Sequence, residues 1–570
     1  MWRHKFLLII FLGLFIGLLA KLIKLQVIEQ KFLKKQGNSR VVRVVNIPPY
    51  RGMILDRNGE PLAVSTKIES IWLNPKTFNI DDTNIPKLLS LLEINKTQLI
   101  NKLNQYVDKE FLYLKRHVSP NIAAKIAELN ISGINFKSEY KRYYPTGEVS
   151  AHILGFTNLD DQGISGMEYL YDNKLQGTAG KKIVINDRLG REVEYINNIQ
   201  DMQPGQDLKS SIDHRLQYLA HRELRNGILK HNAKSGSAVI LDVKTGEVLA
   251  MVNQPTFNPN EKIKNINSDK YRNIAVTDYF EPGSTIKVFS LASVLERGAS
   301  PNMLVDTNPG FWPLRGGVVK DLKNNGVINM AAILQNSSNI GISKLVLADF
   351  SNHPHSANSL WDMYDRVGFG SSTNSGFPGE STGVLNLPGK HQQFVLATMS
   401  FGYAMAATPL QLARAYAVLG SQGIKKPVSF LKLQETPIGT RVMDPKVTDQ
   451  VIELLSLVAN RRTSRLTKVE GYNVAGKTGT ARKLGKDSSG KNSYDQNKHL
   501  SVFCGLAPST SPKFSIVVTV NEPSTNGYYG NQVAEPIFVK IASGALRILN
   551  VPSDLDRQSI HVAESGTNHS

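Results

Sequence analysis

Three short motifs, far apart in the chain, constrain its fold more than any other feature: Ser284-Thr285-Ile286-Lys287, Ser337-Ser338-Asn339 and Lys477-Thr478-Gly479-Thr480. In that order they supply a nucleophile, two lysines, a second serine and an amide. These are the parts of a serine acyl-transfer site whose base is lysine and not histidine. A fold that uses them together has to bring a helix start, a polar turn and a strand to one point.

No single motif decides. Ser138, Ser284, Ser429 and Ser488 each have a lysine three residues on, so context selects among them. Ser138 lies in a charged stretch, Ser429 follows Pro427 in an extended run, and Ser488 falls in the polar, loop-like stretch from Lys483 to Lys498. Only Ser284 opens a helix: Pro282-Gly283 breaks the chain before it, Thr285 to Arg297 is mostly apolar, and Gly298 stops it. Positions i and i+3 share a helix face, so Lys287 is expected to reach the Ser284 hydroxyl. Lysine titrates near about 10.4 in water and serves as a base only when burial and positive neighbours bring it to about 7–8. Lys477 and the positive end of the helix are the sources of that charge. Standing alone, Ser337-Ser338-Asn339 would read as a helix cap or polar loop, and Lys477 as a strand-edge lysine that discourages aggregation.

The third motif has rivals. Gly471 to Thr478 matches the phosphate-loop pattern, and Ala238 to Asp242 imitates the apolar strand that ends in a magnesium-binding aspartate, so a nucleotide hydrolase is an alternative. A phosphate loop runs straight into a helix, whereas Thr478 is followed by Gly479-Thr-Ala-Arg-Lys-Leu-Gly485. An edge strand from Asn473 to Ala481 fits better, with His499–Leu506 and Phe514–Val520 as the next strands of an antiparallel sheet. Lys244-Thr245-Gly246 sits between two extended runs and reads as a hairpin turn with a solvated lysine. Gly379-Glu-Ser381-Thr-Gly383 copies the nucleophile-elbow pattern but lacks the flanking strand and helix, so Ser381 reads as loop.

At 570 residues the chain has room for two or more domains. Its formal charge of +19 favours an anionic partner such as membrane headgroups or an acidic polymer. The N-terminus argues against nucleic acid. Phe6 to Ala20 is free of charge, and with Lys21 and Lys24 snorkelling the apolar run continues to Ile28, reaching the roughly 20 residues a bilayer requires. Leu18 and Ala20 make a poor cleavage site, so an uncleaved anchor is expected, with residues 1–5 cytoplasmic, 6–28 spanning and the bulk exported. The sole cysteine, Cys504, excludes an internal disulfide and falls in an expected strand, where it reads as a buried inert thiol. None of the 12 histidines forms a zinc pattern or lies in the motifs, and neither metal nor cofactor is expected.

Residues 29–205 open with a polar helical stalk and continue as short extended segments with turns and helices, a mixed α/β non-catalytic module. Residues 206–550 read as an α+β domain: an amphipathic helix from Ile212 to His231, the hairpin from Ser237 to Val252, and apolar helices at Ala331–Val346 and Val447–Asn460, packed on the antiparallel sheet. Residues 551–570 form a polar tail read as disordered.

Together these residues resemble the class B penicillin-binding proteins, peptidoglycan D,D-transpeptidases with a dimerisation-like pedestal. Beyond the three motifs, the resemblance rests on Arg51 to Ala63, Tyr144-Pro-Thr-Gly147, Gly163 to Glu168, Glu281-Pro-Gly-Ser284 and Phe401 to Pro409. Ile47 to Arg51, Ala63 to Thr66 and Ile71 to Pro75 resemble the septal, cell-division subtype more than the elongation subtype. The resemblance implies that Ser284 attacks the carbonyl between the terminal D-alanines of a stem peptide and expels D-alanine, and that a neighbouring stem's amine completes the cross-link. It gives Lys287 the role of base, Ser337 that of proton relay, Asn339 a hydrogen bond to substrate and Lys477 control of the field. Thr478 and Thr480 would hold the substrate carboxylate, Gly479 would allow close backbone approach, and the backbone amides of Ser284 and Thr480 would form the oxyanion hole. Implied partners are β-lactams, the membrane, a lipid-linked glycan polymerase and other division-complex proteins, at the division site of a bacterial inner membrane. A D,D-carboxypeptidase and a non-catalytic β-lactam sensor share the acylation chemistry and stand as alternatives, whereas a β-lactamase needs a deacylating carboxylate that the sequence does not identify and would carry no such large N-terminal module.

Overall fold

The computed structural model describes residues 2–186, 192–261, 263, 268–348, 356–389, 393–459, 469–486 and 492–554. It divides into two compact units, one of residues 1–52, 65–141 and 173–206, the other of residues 53–64, 142–172 and 207–570.

In the first unit a helix spans Trp2–Ile23 and continues through a wider turn at Lys24–Ile28, with no buried residue, as an apolar segment without protein partners must. The helix Gln30–Val41 and an antiparallel sheet of Val42–Ile47, Gly180–Asn186 and Glu192–Gln200 follow. Residues 65–73 of a long strand pair with Leu112–Val118, Trp72 opposite Tyr113. Their inward positions Ile71, Leu73, Leu112 and Leu114 form one core with Leu88, Leu92 and Leu99 from the helices Ile85–Leu92 and Lys96–Gln105.

The second unit is an α+β layer structure. Asp213 caps helix α1 (His214–Lys230), accepting from Arg215 N. The hairpin of β1 (Ser235–Asp242) and β2 (Val248–Gln254) turns at the residues read as a turn, with Lys244 exposed. Helix α2 (Lys287–Glu296) is followed by α3 (Met330–Gln335), α4 (Asn339–Leu347), α5 (Pro409–Gly420) and α6 (Pro445–Ala459). Strands β3 (Ala475–Lys486), β4 (Asn492–Ala507) and β5 (Phe514–Asn521) and helix α7 (Gly530–Ile548) complete it. The sheet order is β2-β1-β5-β4-β3, all antiparallel, so β3 is an edge. Phe503, Ile516 and Val518 on one face pack with Phe538 and Ile541 of α7 and Leu216 and Leu224 of α1.

Two expectations change in detail. The apolar run Ala331–Val346 is two helices, because Ser337 takes a left-handed φ of +54° and Ser338 starts α4 as its cap. The polar stretch Lys483–Lys498 is largely strand, with Leu484 opposite Tyr494, since β pairing at an edge needs no apolar alternation; residues 487–491 within it lie outside the described residues. The segment from Met53 to Ala63 belongs to this unit: Arg57 N donates to Ile212 O, Asp56 binds His214 Nδ1 at 2.8 Å, and Asn58 reaches Asp213. Of the tail, Val551–Asp554 are tied down by Tyr472, Gly471 and Asn473, while 555–570 lie outside the described residues.

Candidate active site

Edge strand β3 presents the third motif. Partners across an antiparallel pair share a face, so Lys477 lies on the side of Cys504, and Cys504 is buried with its thiol pushed up by burial. Phe503, on the other face, packs on Phe538 of α7. Gly479 lets the strand approach the nucleophile: a Cβ there would stand 2.8 Å from Thr285 Cγ2 and 2.9 Å from Pro282 O. Thr480 Oγ1 accepts the Gly530 N–H at the start of α7, 3.0 Å away, which leaves its own proton free to donate.

Ser284 lies in a single tight turn, Gly283–Ile286, that leads into α2. Thr285 Oγ1 donates to Pro282 O at 2.7 Å and Tyr416 donates to Thr285 O at 2.8 Å, so both sides of the turn are fixed. Behind it, Phe289 of α2 meets Phe369 and Tyr416 edge to face, which anchors the helix in the core.

The side chains converge as the motif order anticipates, with one difference. Ser337 Oγ donates to Ser284 Oγ at 2.8 Å, and Lys287 turns away from its own helix neighbour: its Nζ donates to Ser337 O (2.5 Å), Asn339 Oδ1 (2.8 Å) and, more weakly, Ser337 Oγ (3.3 Å). Lys477 Nζ is also 3.3 Å from Ser337 Oγ and donates to Thr478 O at 3.2 Å. Ser337 therefore sits between Ser284 and both lysines, because it occupies the break between α3 and α4. The direct Lys287–Ser284 bond suggested by i,i+3 spacing is replaced by this bridge.

Electrostatics separate the lysines. Burial, reinforced by the Lys477 charge, holds Lys287 well below its ordinary value, and Asp321 opposes that shift. Burial lowers Lys477 to about 8, against the pull of Glu535 on α7. Asp321 and Glu535 are the charged neighbours of these lysines that the motifs do not reveal. Neither occupies a motif position, and each gains its place only through the fold.

The decoys fall elsewhere. Ser138 lies on the strand Ile134–Tyr143 and donates to Glu69, Ser429 donates to Leu431 O, and Ser488 lies outside the described residues. Gly471–Thr478 runs into a strand and not a helix, and Ser381 sits in a loop whose Glu380 binds Ser372, Thr373 and Ser375. A cavity of about 540 Å³ lined by Phe280, Met405, Leu500 and Thr519 contains neither Ser284 nor either lysine.

Known families match both parts of the chain. The penicillin binding protein transpeptidase domain matches residues 236–543, and the penicillin-binding protein dimerisation domain matches residues 46–210. The peptidoglycan D,D-transpeptidase FtsI of Escherichia coli is 41% identical over 545 residues, 94% of this chain and 90% of that protein. This chain is a class B penicillin-binding protein, a peptidoglycan D,D-transpeptidase. The transpeptidase is also 38% identical over 555 residues to a probable peptidoglycan D,D-transpeptidase PenA of Neisseria meningitidis, covering 96% of this chain and 93% of that one. Among solved structures, the transpeptidase domain of penicillin-binding protein 3 from Burkholderia pseudomallei aligns over 60% of this transpeptidase and 97% of that chain, with 35% identity and a TM-score of 0.53.

Proposed function

We propose that this transpeptidase cross-links stem peptides through an acyl-enzyme on Ser284, in septal wall synthesis. One observation carries the reading: Ser337 Oγ lies within hydrogen-bond distance of Ser284 Oγ and both lysines, while two carbonyl oxygens already take up two donors of Lys287. A neutral amine has two N–H donors and one lone pair. On losing a proton Lys287 keeps those two donors, and its lone pair replaces the third, the 3.3 Å contact from Nζ to the Ser337 hydroxyl.

Ser284 Oγ then attacks the carbonyl of the penultimate D-alanine as its proton passes through Ser337 to Lys287. The C–N bond breaks, and the proton returns through Ser337 to the departing D-alanine nitrogen. An amine of a neighbouring stem attacks the ester, the C–O bond breaks, and Ser284 regains a proton. Asn339 keeps one Nδ2 hydrogen for the substrate, since its other contacts go to Lys287 and Lys320 O. Charged Lys477, with the hydroxyls of Thr478 and Thr480, receives the terminal carboxylate. Amides of Ser284 and Thr480 stabilise the oxyanion, at about 2.7–4 kcal/mol per donor in other enzymes. A β-lactam enters by the same route, its ring amide taking the place of the peptide bond. The septal role rests on the FtsI relative, and the 2–28 helix is long and apolar enough for a single span, which would leave the catalytic unit on the exported side with other division-complex proteins as its partners.

The test is intact mass over time of the full-length protein in detergent with a penicillin, peptide mapping and a Ser284→Ala control, followed by stem peptide with and without an acceptor amine. A long-lived adduct on Ser284 and amine-dependent cross-linking support the reading. Rapid release of hydrolysed drug indicates a β-lactamase. Hydrolysis of peptide without cross-linking indicates a carboxypeptidase, and no turnover of peptide indicates a sensor.

A further inference from the structure

Asp321, outside all three motifs, accepts hydrogen bonds from three consecutive residues, Ser338, Asn339 and Ile340. Its Oδ1 accepts from Asn339 N (2.5 Å) and Ile340 N (3.0 Å), and its Oδ2 accepts from Ser338 Oγ (2.5 Å) and Asn325 Nδ2 (2.9 Å). An ionised carboxylate offers about four acceptor sites, so this one is saturated. It binds orphan amides at the start of α4, where a negative charge also complements the helix dipole. The adjoining residue, Lys320, takes the Asn339 side chain through its carbonyl at 3.0 Å. Asn339 is therefore gripped at its backbone and its amide, and its Oδ1 turns to Lys287 at 2.8 Å.

Ser337, two residues before Asn339, holds a φ of +54°. That conformation is costly for serine and persists where the surroundings over-determine it. Lys287 Nζ on Ser337 O (2.5 Å), the Ser338 cap on Gly341 N (2.9 Å) and the Asp321 contacts constrain it.

We propose that Asp321 is a positioning residue of the transpeptidation site: it fixes the Ser337–Asn339 turn so that Ser337 Oγ stays between Ser284 and the two lysines. The inference rests on the acyl-enzyme reading above. Asp321 touches no reacting atom and acts through Ser338, Asn339 and Ile340. The charged groups acting on this cluster are Lys287 from α2, Lys477 from β3, Glu535 from α7 and Asp321 itself.

The test compares wild type, Asp321→Ala and Asp321→Asn as full-length protein in detergent, measuring the acylation rate by a fluorescent penicillin across pH together with thermal unfolding. Losing a single charge-assisted hydrogen bond from the turn is worth roughly tenfold or more in rate, so Asp321→Ala is expected to acylate at least that much more slowly while melting cooperatively. Asp321→Asn keeps an acceptor for the two amides but removes a charge that supports the protonated form of Lys287. Its acid limb is expected to move to lower pH. A site that merely loosens admits water to Lys287 and moves the limb up, so the direction separates positioning from general damage. Acylation of Asp321→Ala within about twofold of wild type overturns the inference, and so does an upward shift of the limb. If Asp321→Ala does not fold, the direction seen with Asp321→Asn decides alone. Absence of any adduct on wild type defeats the acyl-enzyme reading and this inference with it, whereas a wild-type adduct with unaffected variants defeats the inference only.

Discussion

Gly402→Ala gives a sharp test of how tightly the Ser284 turn is held. Gly402 has φ +90°, and a Cβ placed on it would stand 2.2 Å from Gly283 O and 2.5 Å from Gly283 N. Both neighbours are backbone, so no side chain can swing aside. Relieving the overlap takes about 1 Å of main-chain movement, and that movement passes directly into Ser284, the next residue. A 1 Å misplacement of reacting groups costs about 100-fold in rate, so the acylation rate constant is expected to fall by about that factor. The left-handed backbone adds about 1–2 kcal/mol of instability for any residue with a Cβ. Gly298→Ala isolates that second effect, because Gly298 has φ +86° with no atom within 4 Å of the added carbon. The assay is stopped-flow acylation by a fluorescent penicillin, with thermal unfolding of both variants. If Gly402→Ala acylates within about threefold of Gly298→Ala, the Gly402–Gly283 contact does not set the position of the nucleophile, and the reasoning fails.

Two further variants probe buried charge. Glu535, 3% exposed, supports the protonated form of Lys477, whose value of about 8 is set by burial. Glu535→Gln should therefore lower Lys477 further and move the alkaline limb of acylation to lower pH, read from the pH–rate profile; an unmoved limb would contradict the assignment of that limb to Lys477. Arg142 and Glu168 form an ion pair at 2.6 Å with side chains 1% and 0% exposed, and removing one partner strands the other charge. Glu168→Ala should cost about 3–5 kcal/mol, seen as a lower denaturant midpoint, and a loss below about 1 kcal/mol would mean that water reaches the remaining guanidinium.

The local parts of the site were legible in the sequence because they depend on short-range rules. Pro282-Gly283 before an apolar run announces the helix start at Ser284, and alternation with an edge lysine announces β3. Partner choice was not legible. Spacing placed Lys287 and Ser284 on one helix face, yet the two carbonyl oxygens that capture Lys287 belong to Ser337 and Asn339, some fifty residues away in sequence. Ala331–Val346 is apolar toward both ends but Gln335 to Asn339 are all polar, and the break at Ser337 inside that polar stretch is fixed by a cap and by a carboxylate elsewhere in the chain. Asp321 is one of 48 acidic residues, and nothing in its neighbourhood marks it.

The two lysines illustrate why one chain needs both. Each is buried, and two ammonium charges on either side of one hydroxyl disfavour each other, so their proton affinities separate. The lysine that burial and its neighbour's charge lower further gives up its proton first. Lys287 feels both burial and Lys477, and its remaining donors fit two carbonyl oxygens without a third proton. Lys477 retains Glu535 behind it and keeps its charge to about pH 8. On the proposed acyl-enzyme reading the neutral amine would accept the proton of Ser284 through Ser337, and the charged one would meet the substrate carboxylate. Asp321 and Glu535, which lie outside every motif, each favour the charged form of the lysine beside them, so the difference between the lysines comes from burial and from the charge that Lys477 places on Lys287.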